Sequence, residues 1–139
     1  KEPAASADHR ASFPEAIGWF ESTEAGGEWP DPVPLVAFPP GGLYRETMFE
    51  RIEHERRRWY VSFTGSSLDS VLRAVEAGLG ISLVPTGSTA GYRVRPLARL
   101  GLERTMVVSV YSWETAGRAA ELAGSMAGVL AHRYRARNR

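Results

Sequence analysis

Two short stretches carry the residue types that hold a polar ligand. Pro39–Pro40–Gly41–Gly42 stands just ahead of one amphipathic segment, and Thr64–Gly65–Ser66–Ser67 just ahead of another. Each turn places backbone N–H groups where a helix begins, and first-turn N–H groups have no partner within the helix. With the helix dipole and the nearby hydroxyls, such turns suit a carboxylate or another polar group. Each also reads as an ordinary turn or cap. Tyr44 and Arg45 open the first helix and reach either a ligand or a neighbouring surface. The dinucleotide fingerprint G-x-G-x-x-G and the phosphate loop G-x-x-x-x-G-K-[ST] are both absent.

Bond-making chemistry finds no residues to carry it. There is no G-x-S-x-G elbow, and no histidine falls in a strand-end loop to act as a base. His9, His54 and His132 are scattered over tail, helix and helix end, with no spacing that suits a metal. The absence of cysteine excludes disulfides, thiol nucleophiles and thiolate metal sites. No catalytic residue, metal site or cofactor is expected, and binding is the chemistry left.

The elements that must position these turns follow from periodicity. From Ser66 to Pro85 a hydroxyl-rich turn enters a helix, a glycine corner, a short apolar strand and a proline stop. Ser66 or Ser67 caps the helix by accepting a first-turn N–H. Leu68, Val71, Leu72, Val75 and Leu79 recur at three- and four-residue spacing and predict one apolar stripe. Gly78 falls where a helix C-cap needs positive φ, and Ile81 to Val84 predicts a buried parallel strand that Pro85 ends.

Along the rest of the chain, residues 1–15 are expected to be tail or linker, small and aperiodic through Ser12. Strands are predicted over Ile17 to Ser22, Leu35 to Phe38, Trp59 to Thr64, Tyr92 to Leu97 and Thr105 to Tyr111. Helices are predicted from about Leu43 to Arg57 and from about Thr115 to Tyr134. The last would use Leu122, Met126, Val129 and Leu130 as its apolar face. Pro30, Pro32 and Pro34 make Glu24 to Pro34 a loop. Strand–helix alternation with short connections predicts an α/β fold with parallel pairs, whose ligands sit beyond the carboxyl ends of the strands.

Composition narrows the partners. The chain has 139 residues, 43% hydrophobic and 24% charged, and a formal charge of +1, which fits one globular domain. So small a charge gives no electrostatic drive toward nucleic acid or membrane. No apolar run approaches the roughly 20 residues of a membrane span, and KEPAASADHR lacks the apolar centre of a signal peptide. A cytoplasmic setting is expected. The Glu53 to Arg58 run and the C-terminal arginines read as solvated helix surface.

Three pieces in order resemble the effector-binding domain of LysR-type transcriptional regulators: PLVAFPPGGLYR (Pro34 to Arg45), WYVSFTGSSL (Trp59 to Leu68) and AVEAGLGISLVP (Ala74 to Pro85). AIGWFEST (Ala16 to Thr23) resembles the strand that enters the second subdomain, and MVVSVYSW (Met106 to Trp113) the strand that returns to the first. The resemblance implies a type 2 periplasmic-binding-protein-like fold, a central mixed sheet flanked by helices, with the first lobe largely absent. Residues 16–104 would be the second subdomain, and 105–139 the strand and helix that return to the first. It implies a small-molecule effector, held on this lobe by Pro40, Gly41, Gly42, Thr64, Gly65, Ser66 and Ser67, with a lesser share from Val84, Pro85 and Thr86. It further implies DNA binding only through an N-terminal winged helix-turn-helix outside this chain. A homo-oligomer is expected, because apolar positions of the returning strand, such as Met106, Val108 and Val110, would otherwise be exposed. The alternative is a stand-alone binding module of the periplasmic type, with no DNA role.

Overall fold

Apolar strand-forming runs separated by helices give, in chain order, β1 (Ala11–Ser22), β2 (Val33–Ala37), α1 (Leu43–His54), β3 (Trp59–Thr64), α2 (Leu68–Glu76), β4 (Ser82–Pro85), β5 (Val94–Pro96), β6 (Arg104–Val110) and α3 (Arg118–Arg137). The structure, a computed structural model, describes residues 11–100, 104–114 and 116–137. It contains two units: residues 17–104, and the segment up to Ala16 together with that from Thr105. The mixed α/β architecture agrees with the expectation from the sequence.

In the larger unit β1 pairs antiparallel with β4 on one side and with β5 on the other, from Ile17↔Pro85 to Phe20↔Ser82 and from Phe20↔Pro96 to Ser22↔Val94. A second, two-stranded sheet sets β2 parallel to β3, from Val33↔Trp59 to Ala37↔Thr64. A parallel bridge, Leu35↔Ile81, joins the two. The expectation that the strand after Gly80 would be a parallel one is therefore corrected. Its ladder is antiparallel to β1, and only Ile81 makes the parallel contact, because the chain pairs with β2 for one residue before passing to β1.

α2 is held at both ends. Its N-cap is Ser67, and its C-terminus closes with Gly78 N–H on the Val75 carbonyl at 2.9 Å and Leu79 N–H on Ala74 at 3.1 Å. That pair of bonds is a Schellman closure, and Gly78 takes the positive φ of +79° that it requires. Val71, Leu72, Ala74 and Val75 are buried against Phe20, Val36 and Val84. Leu79 is 46% exposed, so it does not belong to the stripe as expected; it lies beyond the reversal at Gly78. Strand alternation turns Leu83 to the opposite face from Val84, and α1 packs on β4 with Met48 and Ile52 buried. α1 ends at His54 rather than Arg57. Arg56 turns to φ +55°, and its N–H closes back on the Glu53 carbonyl at 2.8 Å.

The smaller unit contains the N-terminal part of β1, β6 and α3. Only 11–15 of the expected tail lies within the described residues, and these belong to β1, because alternate residues find partners. Phe13 stacks on Tyr134 with ring centroids 5.3 Å apart, and Glu15 is buried and accepts from the Tyr134 hydroxyl at 3.2 Å. Met106 and Val110 are buried, contrary to the exposure expected for this strand. The expected apolar face of α3 also needs correction: Leu122, Met126 and Val129 are exposed. Ala123, Ala127, Leu130 and Tyr134, on a stripe rotated by one residue, form the more buried face.

Gly80 sits at the crossing between the sheets. A Cβ there would lie 2.5 Å from the Pro34 carbonyl oxygen, beside the Ile81 N–H bond to that same oxygen at 3.1 Å. Gly80→Ala is expected to cost about 2–3 kcal/mol in urea unfolding, whereas Gly26→Ala, with open space around it, stays within about 0.5 kcal/mol. Equal midpoints for the two variants would refute the crossing constraint.

Candidate ligand-binding site

Because β2 and β3 run parallel, their carboxyl ends share one edge, and the Leu35↔Ile81 bridge brings the end of β4 to it too. Pro40–Gly42, Thr64–Ser67 and Val84–Thr86 all leave that edge. The second turn is tied to the end of β2, from which the first turn departs, since Gly65 N–H donates to the Ala37 carbonyl at 2.9 Å.

At the first turn Gly41 adopts φ +82°, and Gly42 is the N-cap of α1. No side chain caps that helix, so its first-turn N–H groups have no cap hydroxyl to serve them. Gly42 N–H returns to the Pro39 carbonyl at 3.0 Å, and a Cβ on Gly42 would lie 3.0 Å from that oxygen. Arg45 is already engaged: Nη1 donates to the Phe38 carbonyl at 2.7 Å and the guanidinium lies over the Phe49 ring at 4.8 Å. Tyr44 packs on Phe38 at 5.4 Å. Both side chains brace the turn.

At the second turn Gly65 is buried and fits because it has no side chain. A Cβ would lie 2.6 Å from Ser70 Oγ and 2.8 Å from Val71 Cγ2. Ser67 and Ser70 form a capping box: Ser70 N–H donates to Ser67 Oγ at 3.1 Å and Ser67 N–H to Ser70 Oγ at 3.0 Å. Of the two serines that the sequence left open as caps, Ser67 is the cap. The hydroxyls of Thr64 and Ser66 are exposed and have no partner among the described residues.

The third segment contributes less. The Val84 side chain belongs to the core beneath α2, Pro85 is buried in its pairing with Ile17, and Thr86 is half-buried at the start of a short 3-10 turn.

Three residues near this edge escaped the sequence reading. The Tyr92 hydroxyl donates to Asp69 Oδ1 at 2.7 Å, and Arg73 lies over the Tyr92 ring at 4.7 Å. That hydrogen bond holds the Tyr92 hydroxyl above its ordinary pKa, with burial adding to it. Asp69 puts a carboxylate in the first turn of α2, and Arg73 pairs with it at 3.7 Å. An i,i+4 pattern was legible there, but Tyr92 joins from 23 residues away, and nothing local announces that.

The edge therefore offers two exposed hydroxyls, those of Thr64 and Ser66, and the start of a helix that no side chain caps, with the Asp69–Tyr92 pair nearby. Among the described residues no group of acids and histidines can hold a metal ion. Hydroxyls and helix-start amides of this kind can donate to the oxygens of a polar ligand.

Comparison with known proteins agrees in kind. A family model described as "LysR substrate binding domain" matches residues 31–123. The regulatory domain of CcmR from Synechocystis PCC6803, solved in complex with 2-PG, superposes with a TM-score of 0.66 at 10% identity, covering 93% of this chain and 71% of that one. Full-length HypT from Salmonella typhimurium, a hypochlorite-specific LysR-type transcriptional regulator, gives 0.66 at 13% identity, covering 91% and 48%. The effector-binding domain of QuiR in complex with shikimate gives 0.59 at 11% identity, covering 89% and 67%. No curated protein matches the chain in sequence. At these identities the structural likenesses establish the fold.

The cap and the open hydroxyls separate by substitution. Ser67→Ala is expected to cost about 1 kcal/mol of stability and Ser66→Ala less than about 0.5 kcal/mol. Chemical denaturation giving the reverse order would reassign the cap.

Proposed function

Because the chain belongs to the LysR substrate-binding domain family, we propose that it is the effector-binding part of a LysR-type transcriptional regulator and senses a small polar molecule. The observation that carries this reading is the gathering of Pro40–Gly42 and Thr64–Ser67 at one sheet edge, with the first turn opening into a helix that no side chain caps and Thr64 and Ser66 exposed on the other. Thr86 adds a lesser contact beside them. CcmR and QuiR regulatory domains hold 2-PG and shikimate, and this supports a small-molecule effector for a chain of the same family. Amide groups and hydroxyls favour an oxygen-rich ligand, a carboxylate above all.

The chain covers 48% of full-length HypT, so DNA binding, target promoter and sign of regulation belong to a longer protein. In that protein a winged helix-turn-helix would contact DNA. The effector would act by binding one arrangement of the assembly more tightly than another, since a ligand shifts an equilibrium only by its differential affinity. This is a sensing role and not an enzymatic one. On this reading the protein would work in the cytoplasm, where its DNA is. Among the described residues no helix is long and apolar enough to cross a membrane.

Self-association is part of the same reading. Leu122, Met126 and Val129 leave one face of α3 apolar and open, and Trp113 is 95% exposed. Such a face favours burial against another copy. Sedimentation of the chain is expected to show a dimer or larger species that Leu122→Asp with Val129→Asp reduces to monomer. A strict monomer for the unsubstituted chain at high concentration would refute this.

A thermal-shift screen of small metabolites against the full-length regulator identifies the effector, because a ligand that binds only the native state raises the melting point. For that molecule, Thr64→Ala with Ser66→Ala is expected to weaken binding about tenfold or more in calorimetry. Unchanged affinity would remove both residues from the site.

A further inference from the structure

A second concavity lies at the opposite sheet edge from the strand-end turns. The turns follow Ala37↔Thr64, the last register pair of β2 and β3, whereas this one flanks Val33↔Trp59, the first. It has a volume of about 240 Å³, with Trp29, Leu97 and Leu100 as its apolar lining and Arg57, Arg99 and Glu28 as its charged groups. We propose that it is a second small-ligand site, for an organic oxyanion, carboxylate or phosphate ester, carried on a flat apolar ring.

The charges at this concavity favour an anion. Arg58, Arg73, Arg93 and Arg95 each pair with a carboxylate. Arg57 donates only to the Trp29 carbonyl, at 3.2 Å, and Arg99 has no partner among the described residues. Two guanidinium groups therefore face one space lined by a single carboxylate, that of Glu28, although the charge of Arg57 also acts on nearby Asp31. A guanidinium offers a planar fork of N–H donors that matches the two oxygens of a carboxylate or phosphate. An indole and two leucines suit the apolar remainder of such a ligand, and the volume, below the range of drug-sized pockets, admits a single ring.

The walls are fixed before any ligand arrives. Trp29 Nε1 donates to Glu21 Oε2 at 2.7 Å, and Glu21 is buried and held by Arg95 at 2.8 Å. The loop is pinned again where Arg58 clasps Asp31 at 2.9 Å, a hydrogen bond that keeps the Asp31 carboxyl below the usual range. On the other wall Leu97 N–H donates to the Trp19 carbonyl at 2.8 Å, and Arg51 Nη2 to the Leu100 carbonyl at 3.3 Å. Holding the site open in advance lowers the ordering cost of binding.

The test uses the 139-residue chain with benzoate, phenyl phosphate and inorganic phosphate, followed by tryptophan fluorescence and calorimetry. Benzoate or phenyl phosphate is expected to bind, the tighter of the two naming the head group, with inorganic phosphate at least about tenfold weaker because it leaves the apolar wall unused. Arg57→Gln and Arg99→Gln should each raise Kd about tenfold, while Glu28→Gln lowers it. Urea midpoints of the variants confirm that each is folded. No binding of any probe, affinity unaltered in the Arg57→Gln, Arg99→Gln double variant, or inorganic phosphate binding as tightly as the ring compounds would each overturn the proposal.

Discussion

Two backbone hydrogen bonds at Ile81 join the two sheets of the larger unit. Its N–H donates to the Pro34 carbonyl at 3.1 Å and its carbonyl accepts from Val36 N–H at 2.9 Å, so a single residue connects the β2–β3 pair to the sheet built on β1. The approach is close enough that Gly80 has no room for a side chain. Buried backbone groups left unpaired at such a crossing would be costly, so the register of β4 on β2 is strongly specified. Once it is set, the ends of β2, β3 and β4 share an edge, and the two polar turns meet there.

Charged groups secure the connections that the strands do not. Glu76, near the end of α2, accepts from the Arg93 N–H at 3.0 Å and pairs with Arg73 at 2.9 Å, which lowers its carboxyl pKa. Ser22 Oγ donates to the Glu76 carbonyl at 3.0 Å, tying the end of β1 to the same place. With Glu21, Trp29 and Arg95 next to it, this network fixes the long loop after β1 and leaves the opposite edge to the glycines and hydroxyls.

Much of this was legible in the residues. The α2 stripe, its glycine stop and the extents of β3 and α2 follow from local periodicity and capping, which act within a few residues. The positions that resisted reading depend on what lies across from them. Ile81 looks like the start of a parallel strand, and its own bridge to Leu35 is parallel, yet the residues after it pair antiparallel with β1, a partner far away in the sequence that nothing local announces. Phe13 and Glu15 look like tail until Tyr134 supplies their partner. On α3, Leu122, Met126 and Val129 are the larger apolar residues, but the more buried stripe runs through Ala123 and Leu130. Leu79 keeps the spacing of the α2 stripe and loses its burial because Gly78 reverses the chain. At the site, the two turns were readable from composition, whereas which serine caps the helix and the engagement of Arg45 required geometry.

The central claim is that the amides and hydroxyls at the carboxyl ends of β2 and β3 receive the effector. The most direct measurement is the backbone amide spectrum of the full-length regulator, titrated with the compound that raises its melting point. The account predicts the largest shifts at Gly41 and Ser66, with smaller ones at Gly42 and Gly65, whose N–H groups already donate to Pro39 and Ala37. Shifts confined to other surfaces, with these four amides unmoved at saturation, would contradict it.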